Sequence, residues 1–332
     1  MANMDNPLVS VIIATYNRSN LLEKCLLSIL DQTYPHDLFE VIVVDDGSND
    51  DTREVIQNLT KTVEYPKIQY LYQQNSGPGA ARNMGINNSK GEIIAFADDD
   101  VTVDKNWIKN ALPYFSDDNI AGVEGTTYVE NRKDIVLFPQ NTKRKYLTCN
   151  IFYMRSILIE IGGFDSKFYM AFREDSDIAF SVIEMGYNII SAENVVAIHA
   201  PLPASYSSIL NLAKKHYFDP LLYKKHKSLY RSQLERIEIG PFVIKRAYHY
   251  TCLGNILSVI IFIISIVIEN LIIATISISL YVFFFFSLMF FFTRFKFSRM
   301  KKIGSMLALF VTPFVYLYWL IKGSFCFKSF IW

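Results

Sequence analysis

The sequence predicts an α/β fold followed by helices that cross a membrane. Through the first two-thirds of the chain, short and almost wholly apolar runs alternate with segments of helical spacing. This alternation is typical of a parallel sheet that is covered by helices on both faces. From about Cys252 onward the sequence is mostly Ile, Leu, Val and Phe, which leaves no polar face to meet water.

The strands and helices of the first part follow one another in a regular order. Buried strands are predicted at Leu8–Ala14, Phe39–Val44, Ile68–Tyr72 and Glu92–Ala97, and helices between them at Leu21–Leu30, Asp50–Leu59 and Gly79–Asn88. The pattern weakens after Ile120, where residues 121–129 and 149–154 favour further strands of a mixed sheet. A helix over Glu174–Met185 and a short strand over Val195–Ile198 complete the prediction.

The composition divides the chain into three parts, 1–204, 205–250 and 251–332. The first is the α/β domain. The second mixes basic with aromatic residues, which favours helix lying at a membrane surface, and a solvated helical face is the alternative. The third contains apolar stretches at 252–268, 271–293 and 303–321. A span needs roughly 20 apolar residues, so about three transmembrane helices are expected.

Basic residues predict the orientation of these spans, because they collect on the cytoplasmic side. Arg246 precedes the first span, and the turn at Glu269 between the first two carries no positive charge. We therefore expect a multi-pass protein of the cell membrane whose residues 1–204 lie in the cytoplasm. A third span leaves the C-terminus outside, against the charges of Lys322 and Lys328. A re-entrant third segment is the alternative.

Several classes of protein are excluded by composition and motifs. A formal net charge of +1 gives no reason to expect a nucleic-acid partner. The four cysteines include no CxxC pair and no metal-ligand spacing, so a disulfide framework is not expected. The sequence contains neither the glycine fingerprint of a dinucleotide site nor a phosphate-binding P-loop. The N-terminus lacks a signal-peptide pattern, which agrees with a cytoplasmic first domain.

Polar residues follow each strand of the predicted sheet, where ligands of open parallel sheets bind. Thr15, Tyr16 and Asn17 follow the first strand, and Asp46 follows the second. A carboxylate there can accept hydrogen bonds from a base or a ribose, and a helix-capping turn is the alternative. A glycine-rich turn after the third strand begins the helix that contains Arg82.

Three consecutive carboxylates, Asp98, Asp99 and Asp100, follow the fourth strand. Such neighbours repel one another unless a cation lies among them. Mg²⁺ or Mn²⁺ would meet that need and would also neutralise a diphosphate. The alternative is a solvated acidic turn.

These motifs occur together in one order along the chain. They are Val9–Asn17, Val43–Ser48, Asn75–Gly85, Phe96–Asp100, Gly162–Asp165 and Glu174-Asp175. In that order and spacing, over residues 7–200, the sequence resembles the family 2 glycosyltransferases. The resemblance implies the GT-A fold, a doubly wound mixed sheet that binds a nucleotide sugar.

The resemblance also implies roles for individual residues. Nucleotide-sugar contacts are expected from Thr15, Tyr16, Asn17, Asp46, Arg82, Asp98 and Asp99, metal ligands from Asp98, Asp100 and His199, acceptor contacts from Gly162, Gly163 and Glu174, and catalysis from Asp175. Asp175 would be the general base, ionised because it lies at a helix start. The alternatives are a packed histidine at 199, a plain turn at 162–163 and an N-cap at 175.

The function implied is that of an inverting, metal-dependent, hexosyltransferase-like enzyme. It would move a sugar from a nucleoside-diphosphate donor to a membrane-associated acceptor, such as a lipid-linked saccharide, in surface glycan synthesis. The alternatives are a polyprenyl-phosphate glycosyl synthase, a transporter and a non-catalytic membrane scaffold. The string Gln233–Ile237 lacks the tryptophan of the QxxRW motif, which argues against a polymerising synthase. No motif fixes the sugar, nucleobase or linkage, because these depend on pocket shape.

Overall fold

A computed structural model describes residues 6–130, 132–136, 146–201, 206–234, 236–239, 242–294 and 302–331. The described residues form two compact units, one within 6–201 and one within 206–331. The first unit is built on a mixed sheet, and the second contains three long apolar helices. The predicted fold class is therefore confirmed. The predicted boundary at 204 falls outside the described residues.

The first unit contains nine strands and six α-helices among the described residues. The strands are β1 Val9–Thr15, β2 Phe39–Asp45, β3 Lys67–Tyr72, β4 Ile93–Asp98, β5 Val101–Val103, β6 Ile120–Val129, β7 Arg132–Val136, β8 Asn150–Met154 and β9 Asn188–His199. The helices are α1 Ser19–Leu30, α2 Thr52–Thr62, α3 Pro78–Asn88, α4 Trp107–Ala111, α5 Arg155–Glu160 and α6 Glu174–Glu184. The sheet order is β3-β2-β1-β4-β8-β6-β9-β5, and β7 pairs with β6.

Strands β1 to β4 are parallel, so their carboxyl ends meet at one edge of the sheet. In the register, Thr15 lies opposite Asp45 on β2, and Ala14 lies opposite Asp98 on β4. The strands are fully buried along most of their length, as their near-continuous apolar sequences require. This register brings the polar residues that follow three different strands to one edge.

The small residues of α3 allow that helix to pack closely on β1. A Cβ added at Gly85 would lie 2.5 Å from Cγ2 of Ile12. Ala81, one turn earlier on the same helix, is also fully buried. The close packing carries Arg82 into the interior of the unit.

The last strand of the sheet is longer than predicted. β9 begins at Asn188, whereas the sequence predicted a strand from Val195. Its first half carries polar, partly exposed residues, which masked the strand signal. Its end pairs with β5, where Val101 lies opposite His199. The register thus places His199 beside the end of the acidic run.

The second unit begins with short elements and continues with the apolar helices. They are α7 Tyr206–Lys215, α8 Asp219–Lys225, α9 Lys227–Gln233, β10 Arg236–Ile239, β11 Phe242–Lys245, α10 Ala247–Val267, α11 Leu271–Arg294 and α12 Lys302–Phe327. The antiparallel pair of β10 and β11 lies where the sequence predicted helix. Helices α10, α11 and α12 are each long and apolar enough to cross a membrane.

Candidate active site

Two arginines lie among the three consecutive carboxylates at the end of β4. Arg82 Nη2 donates to Asp98 Oδ1 at 2.9 Å. Arg18 Nη1 donates to Asp99 Oδ1 at 2.9 Å and to Asp100 Oδ2 at 2.8 Å. The repulsion expected within this acidic run is therefore reduced by two guanidinium groups.

Asp99 is the most deeply buried of the three carboxylates, with 4% of its surface exposed. Burial raises its pKa to about 6, against the opposing effects of Arg18 and of a hydrogen bond from Thr15. The Thr15 hydroxyl lies 2.8 Å from Asp99 Oδ2. Thr15 is itself buried, so its hydroxyl holds Asp99 in place.

Asp100 and His199 face each other at the edge of the sheet. Nε2 of His199 lies 3.3 Å from Asp100 Oδ1, a buried oxygen that accepts no hydrogen bond from the described residues. Nδ1 of His199 lies 2.6 Å from the carbonyl oxygen of Ala200, so Nδ1 carries a proton. In the neutral ring, the Nε2 lone pair then points toward a carboxylate. A cation between the two groups would satisfy both of these acceptor atoms.

The donor set suits a divalent cation, because carboxylate oxygen suits Mg²⁺ and Mn²⁺ and imidazole nitrogen is a common ligand of transition-metal ions. Asp98, the third predicted ligand, is bonded to Arg82. Within the described residues, no three His, Cys, Asp or Glu side chains are grouped closely enough to form a complete metal site. Two of the three predicted ligands are thus adjacent, and the third is paired with Arg82.

Asp46 holds the loop that follows β3. Its Oδ1 accepts hydrogen bonds from Gln73 Nε2 at 2.6 Å and from the Ser76 amide at 2.8 Å. Its Oδ2 accepts from the Gly77 amide at 2.9 Å. A carboxylate oxygen has two lone pairs, so Oδ1 is saturated and Oδ2 retains one acceptor position.

Asn17 connects the loops that follow β1 and β2. Its backbone is in the left-handed region, with φ 53°. Its amide donates to Ser48 Oγ at 2.8 Å, and its Oδ1 accepts from the Asn49 amide at 2.7 Å. The ring of Tyr16 is 45% exposed beside this connection. Tyr16 and Asn17, which are predicted to contact the nucleotide, therefore lie at the sheet edge on a loop that these two hydrogen bonds hold in place.

Arg82 also bonds to Glu174, the first residue of α6. The distance from Nη1 to Oε1 is 3.3 Å, and the guanidinium lies 5.6 Å from the centre of the Phe164 ring. Glu174 is 4% exposed, and its Oε2 accepts no hydrogen bond from the described residues. Burial, reinforced by the neighbouring Asp175, raises the pKa of Glu174 to about 7.

Asp175 lies in the first turn of α6 and is partly exposed. Its Oδ1 accepts from the Ser176 amide at 2.6 Å and from Ser176 Oγ at 3.3 Å. Burial nevertheless raises its pKa, outweighing these bonds and the charges of Arg173 and Arg82. The sequence argument expected the helix start to favour the charged form, and burial here has the larger effect. A carboxylate of raised pKa is a stronger base.

The two predicted acceptor glycines terminate α5. Gly162, with φ +83°, donates to Ile159 O, and Gly163 donates to Leu158 O. These two bonds form a Schellman motif, which requires a left-handed residue after the helix. The side chain of Asn83 holds Phe164, the residue after Gly163, because it donates to the carbonyl of Phe164 and accepts from its amide. Both glycines thus have a structural role at this turn.

Comparison with known proteins shows to which family this chain belongs. A sequence profile described as glycosyl transferase family 2 matches residues 10–178, slightly more than half of the chain. The chain belongs to glycosyl transferase family 2. The resemblance inferred from the motifs is confirmed.

Individual relatives of this family 2 chain cover different shares of it. Glycosyltransferase AglE of Haloferax volcanii is 29% identical over 211 residues, 59% of this chain and 68% of AglE. The GalNAc(5)-diNAcBac-PP-undecaprenol beta-1,3-glucosyltransferase of Campylobacter jejuni is 46% identical over 96 residues, 28% of this chain and 30% of that relative. The chain spans between 14% and 68% of the length of such curated relatives.

The fold of this family 2 chain also matches a solved structure. That structure is mannosyltransferase PcManGT from Pyrobaculum calidifontis in complex with GDP-Man and Mn²⁺, with a TM-score of 0.58 and 21% identity. The match covers 97% of this chain and 87% of that one. It confirms the GT-A fold.

Sequence reasoning on this glycosyltransferase missed two residues that organise the site, Arg18 and Gln73. Arg18 lies in the loop that follows β1 and pairs with Asp99 and Asp100, yet no motif signals that pairing. Gln73 lies between the third strand and the glycine-rich turn and bonds to Asp46. Their positions after strands were visible in the sequence, but their partners were not.

Proposed function

We propose that this family 2 member transfers a sugar, with inversion, from a nucleoside-diphosphate donor to a membrane-associated acceptor. One observation carries the proposal. Arg82 bonds to Asp98 at the end of β4 and to Glu174 beside Asp175. This pairing brings the acidic run after β4 close to the start of α6, which supports assigning the donor contacts and the general base to one site.

The donor nucleoside binds at the ends of β1 and β2. The remaining lone pair of Asp46 Oδ2 accepts a hydrogen bond from a ribose hydroxyl or a base N–H. The exposed ring of Tyr16 offers a flat surface to the base, and Asn17 holds that ring's loop against the loop after β2. The buried residues Arg82 and Asp99 form the bottom of the donor site.

Asp100 and His199, with Asp98, are the residues that would hold Mg²⁺ or Mn²⁺. When bound, the ion supplies positive charge that stabilises the diphosphate as it leaves. The distance of 3.3 Å between Asp100 Oδ1 and His199 Nε2 supports this assignment. The similar fold of PcManGT, which was solved with GDP-Man and Mn²⁺, supports it further.

Asp175 acts as the general base. It takes the proton of the acceptor hydroxyl, and the oxygen of that hydroxyl forms a bond to the anomeric carbon. The bond from that carbon to the diphosphate oxygen breaks, and its electron pair leaves with the nucleoside diphosphate. The raised pKa of Asp175 suits proton removal near neutral pH. Glu174 and the turn at Gly162 and Gly163 form the acceptor side.

The acceptor is a lipid-linked saccharide of surface glycan synthesis. Helices α10, α11 and α12 would hold the enzyme beside a substrate that stays in the bilayer. The name of the Campylobacter relative describes an undecaprenol-linked acceptor. We propose that the protein is a multi-pass membrane protein with its catalytic unit in the cytoplasm, where nucleotide sugars are made. The basic residues near the membrane helices support that orientation.

The test is transfer of label in membranes that contain the full chain. Membranes are incubated with radiolabelled nucleotide sugars, with Mn²⁺ or with chelator, and the organic-soluble fraction is counted. We expect Mn²⁺-dependent label in that fraction, lost in Asp175→Asn and Asp100→Ala. Label from every donor equal to that of membranes lacking the protein would overturn the proposal. Chromatography of the labelled lipid distinguishes an extended saccharide from a polyprenyl-phosphate monosaccharide.

A further inference from the structure

Helices α10 and α11 form an antiparallel hairpin. A Cβ added at Gly254 would lie 2.4 Å from Cζ of Phe284, so the two helices touch closely there. The turn between them is centred on Glu269. The start of α10 and the end of α11 therefore lie at one end of the hairpin, and the Glu269 turn lies at the other.

The direction of α12 relative to this hairpin follows from two contacts. Phe310 stacks on Phe285 of α11, with ring centres 4.5 Å apart. Six residues later, the Tyr316 hydroxyl lies 2.8 Å from Nδ1 of His249. His249 is in the first turn of α10, about 7–8 Å along the axis from the level of Gly254. Helix α12 thus runs toward the start of α10.

The last turns of α12 pack against the helices that precede α10. Tyr217 contacts the rings of Trp319 and Phe327, with centres 5.9 and 5.1 Å apart. A Cβ at Gly323 would lie 2.1 Å from the Tyr217 carbonyl oxygen, so only glycine permits this approach. Lys224 Nζ donates to the carbonyl of Phe327 at 3.0 Å. The end of α12 is therefore fixed beside α8, which the chain leaves before it enters α10.

We propose that α12 does not carry the C-terminus across the membrane, and that its end lies on the face where α10 begins. A third crossing in the direction of α10 would move Phe327 to the face of Glu269, away from Lys224. Lys322 and Lys328, which opposed a three-crossing topology, now share a face with Lys224 and other basic residues. That distribution satisfies the positive-inside rule.

The outer face of α12 fits a lipid surface. Large apolar side chains recur there at helical spacing and are exposed, namely Leu307, Phe310, Val311, Phe314, Tyr318, Ile321 and Phe325. The opposite face, with Leu309, Tyr316 and Leu320, is buried within the unit. Lys322 extends over the ring of Trp319, with Nζ 4.5 Å from its centre. An aromatic ring under a lysine is typical of the boundary between lipid and water.

The experiment places single cysteines on the full-length protein in membrane vesicles of known orientation. Cys326 is exposed and is replaced in Cys326→Ser, whereas Cys25, Cys149 and Cys252 are buried and do not report. Lys328→Cys, Lys227→Cys and Asn270→Cys are then made separately in that background. Each is treated with a membrane-impermeant maleimide in right-side-out and in inverted vesicles.

We expect Lys328→Cys and Lys227→Cys to label in the same vesicle orientation and Asn270→Cys in the opposite one. Labelling of Lys328→Cys together with Asn270→Cys would overturn the inference. The background protein labels in neither orientation, which controls for the buried cysteines. The readout is independent of sugar transfer, so its outcome does not depend on the proposed activity.

Discussion

Arg82 donates to Asp98 at 2.9 Å from inside the unit, where its guanidinium is almost completely buried. The same guanidinium reaches Glu174 at 3.3 Å. A helix packed on β1, the end of β4 and the start of α6 are therefore joined through one cation.

Replacing Arg82 should destabilise the protein strongly. Arg82→Ala leaves the buried Glu174 and the partly exposed Asp98 without their cation, and breaking a buried pair costs about 3–5 kcal/mol. Arg53→Ala, an exposed arginine on α2, is the control and should change stability by less than about 1 kcal/mol. Denaturant unfolding of the detergent-solubilised chain measures both. Equal midpoints for the two variants would contradict the role of the buried pair.

Asp175→Asn should lower kcat and leave the donor KM nearly unchanged, since the amide cannot accept the acceptor proton. Loss of a general base reduces the rate by about 10²–10⁴-fold. Glu184→Gln, at the far end of the same helix, removes an exposed carboxylate and should retain the wild-type rate. Steady-state kinetics on membranes compares the two. A tenfold or smaller loss in Asp175→Asn would exclude it as the base.

The pH dependence of the transfer rate should report the protonation of Glu174 and Asp175. Both pKa values are raised, that of Glu174 to about 7, so the pair gains a proton as the pH falls. The rate should therefore decline on the acidic side at a pH above the ordinary range of carboxylates. Glu174→Gln leaves Asp175 with Arg173 and Arg82 and should move that decline to lower pH. An unmoved acidic limb in Glu174→Gln would show that the two groups titrate independently.

Gly77 should tolerate alanine less well than a glycine of similar φ. Gly77 has φ +92°, and a Cβ there would lie 2.7 Å from the carbonyl oxygen of Tyr169. Gly186 has φ +96° and open space around it. Gly186→Ala thus incurs only left-handed strain, about 1–2 kcal/mol. Gly77→Ala should unfold more easily than that control and raise the donor KM, because Gly77 is bonded to Asp46.

Binding of Mn²⁺ should depend on Asp100 and His199. Asp100→Asn and His199→Gln should each weaken binding by at least about tenfold, judged against the 10–100-fold effects of residues that only support metal ligands. Asp104→Asn, an exposed carboxylate four positions further on, should bind as the wild type does. Electron paramagnetic resonance counts free Mn²⁺ without requiring transfer. Unchanged affinity in both site variants would remove these residues from the cation site.

Much of this polar edge of the sheet was predictable because its signals are local in sequence. The strands β1, β2 and β4 are short apolar runs, and the residues that follow each of them are fixed by chain order. Parallel pairing then brings Thr15 and Asp98 to one edge without further information. The roles of Asp175 and His199 came only from the resemblance, because neither follows a strand of the parallel core.

The partners of these residues were not predictable, because each joins distant parts of the chain. Arg18 and Asp99 are 81 positions apart, and Arg82 and Glu174 are 92 apart. The direction of α12 likewise depends on Tyr316 meeting His249, 67 positions away. The apolar content of a helix indicates only whether it can enter a membrane, and it does not indicate the direction in which the helix runs.

The sequence by itself determined the alternation of strands and helices, the edge where acidic residues collect, and the presence of three apolar helices. Each is set by side chains that are neighbours along the chain. Tertiary structure alone decided which cation meets each carboxylate, how burial raises the pKa of Glu174, and in which direction α12 runs relative to α10. Those outcomes depend on distances and on the exclusion of water, which exist only once separated segments have packed together.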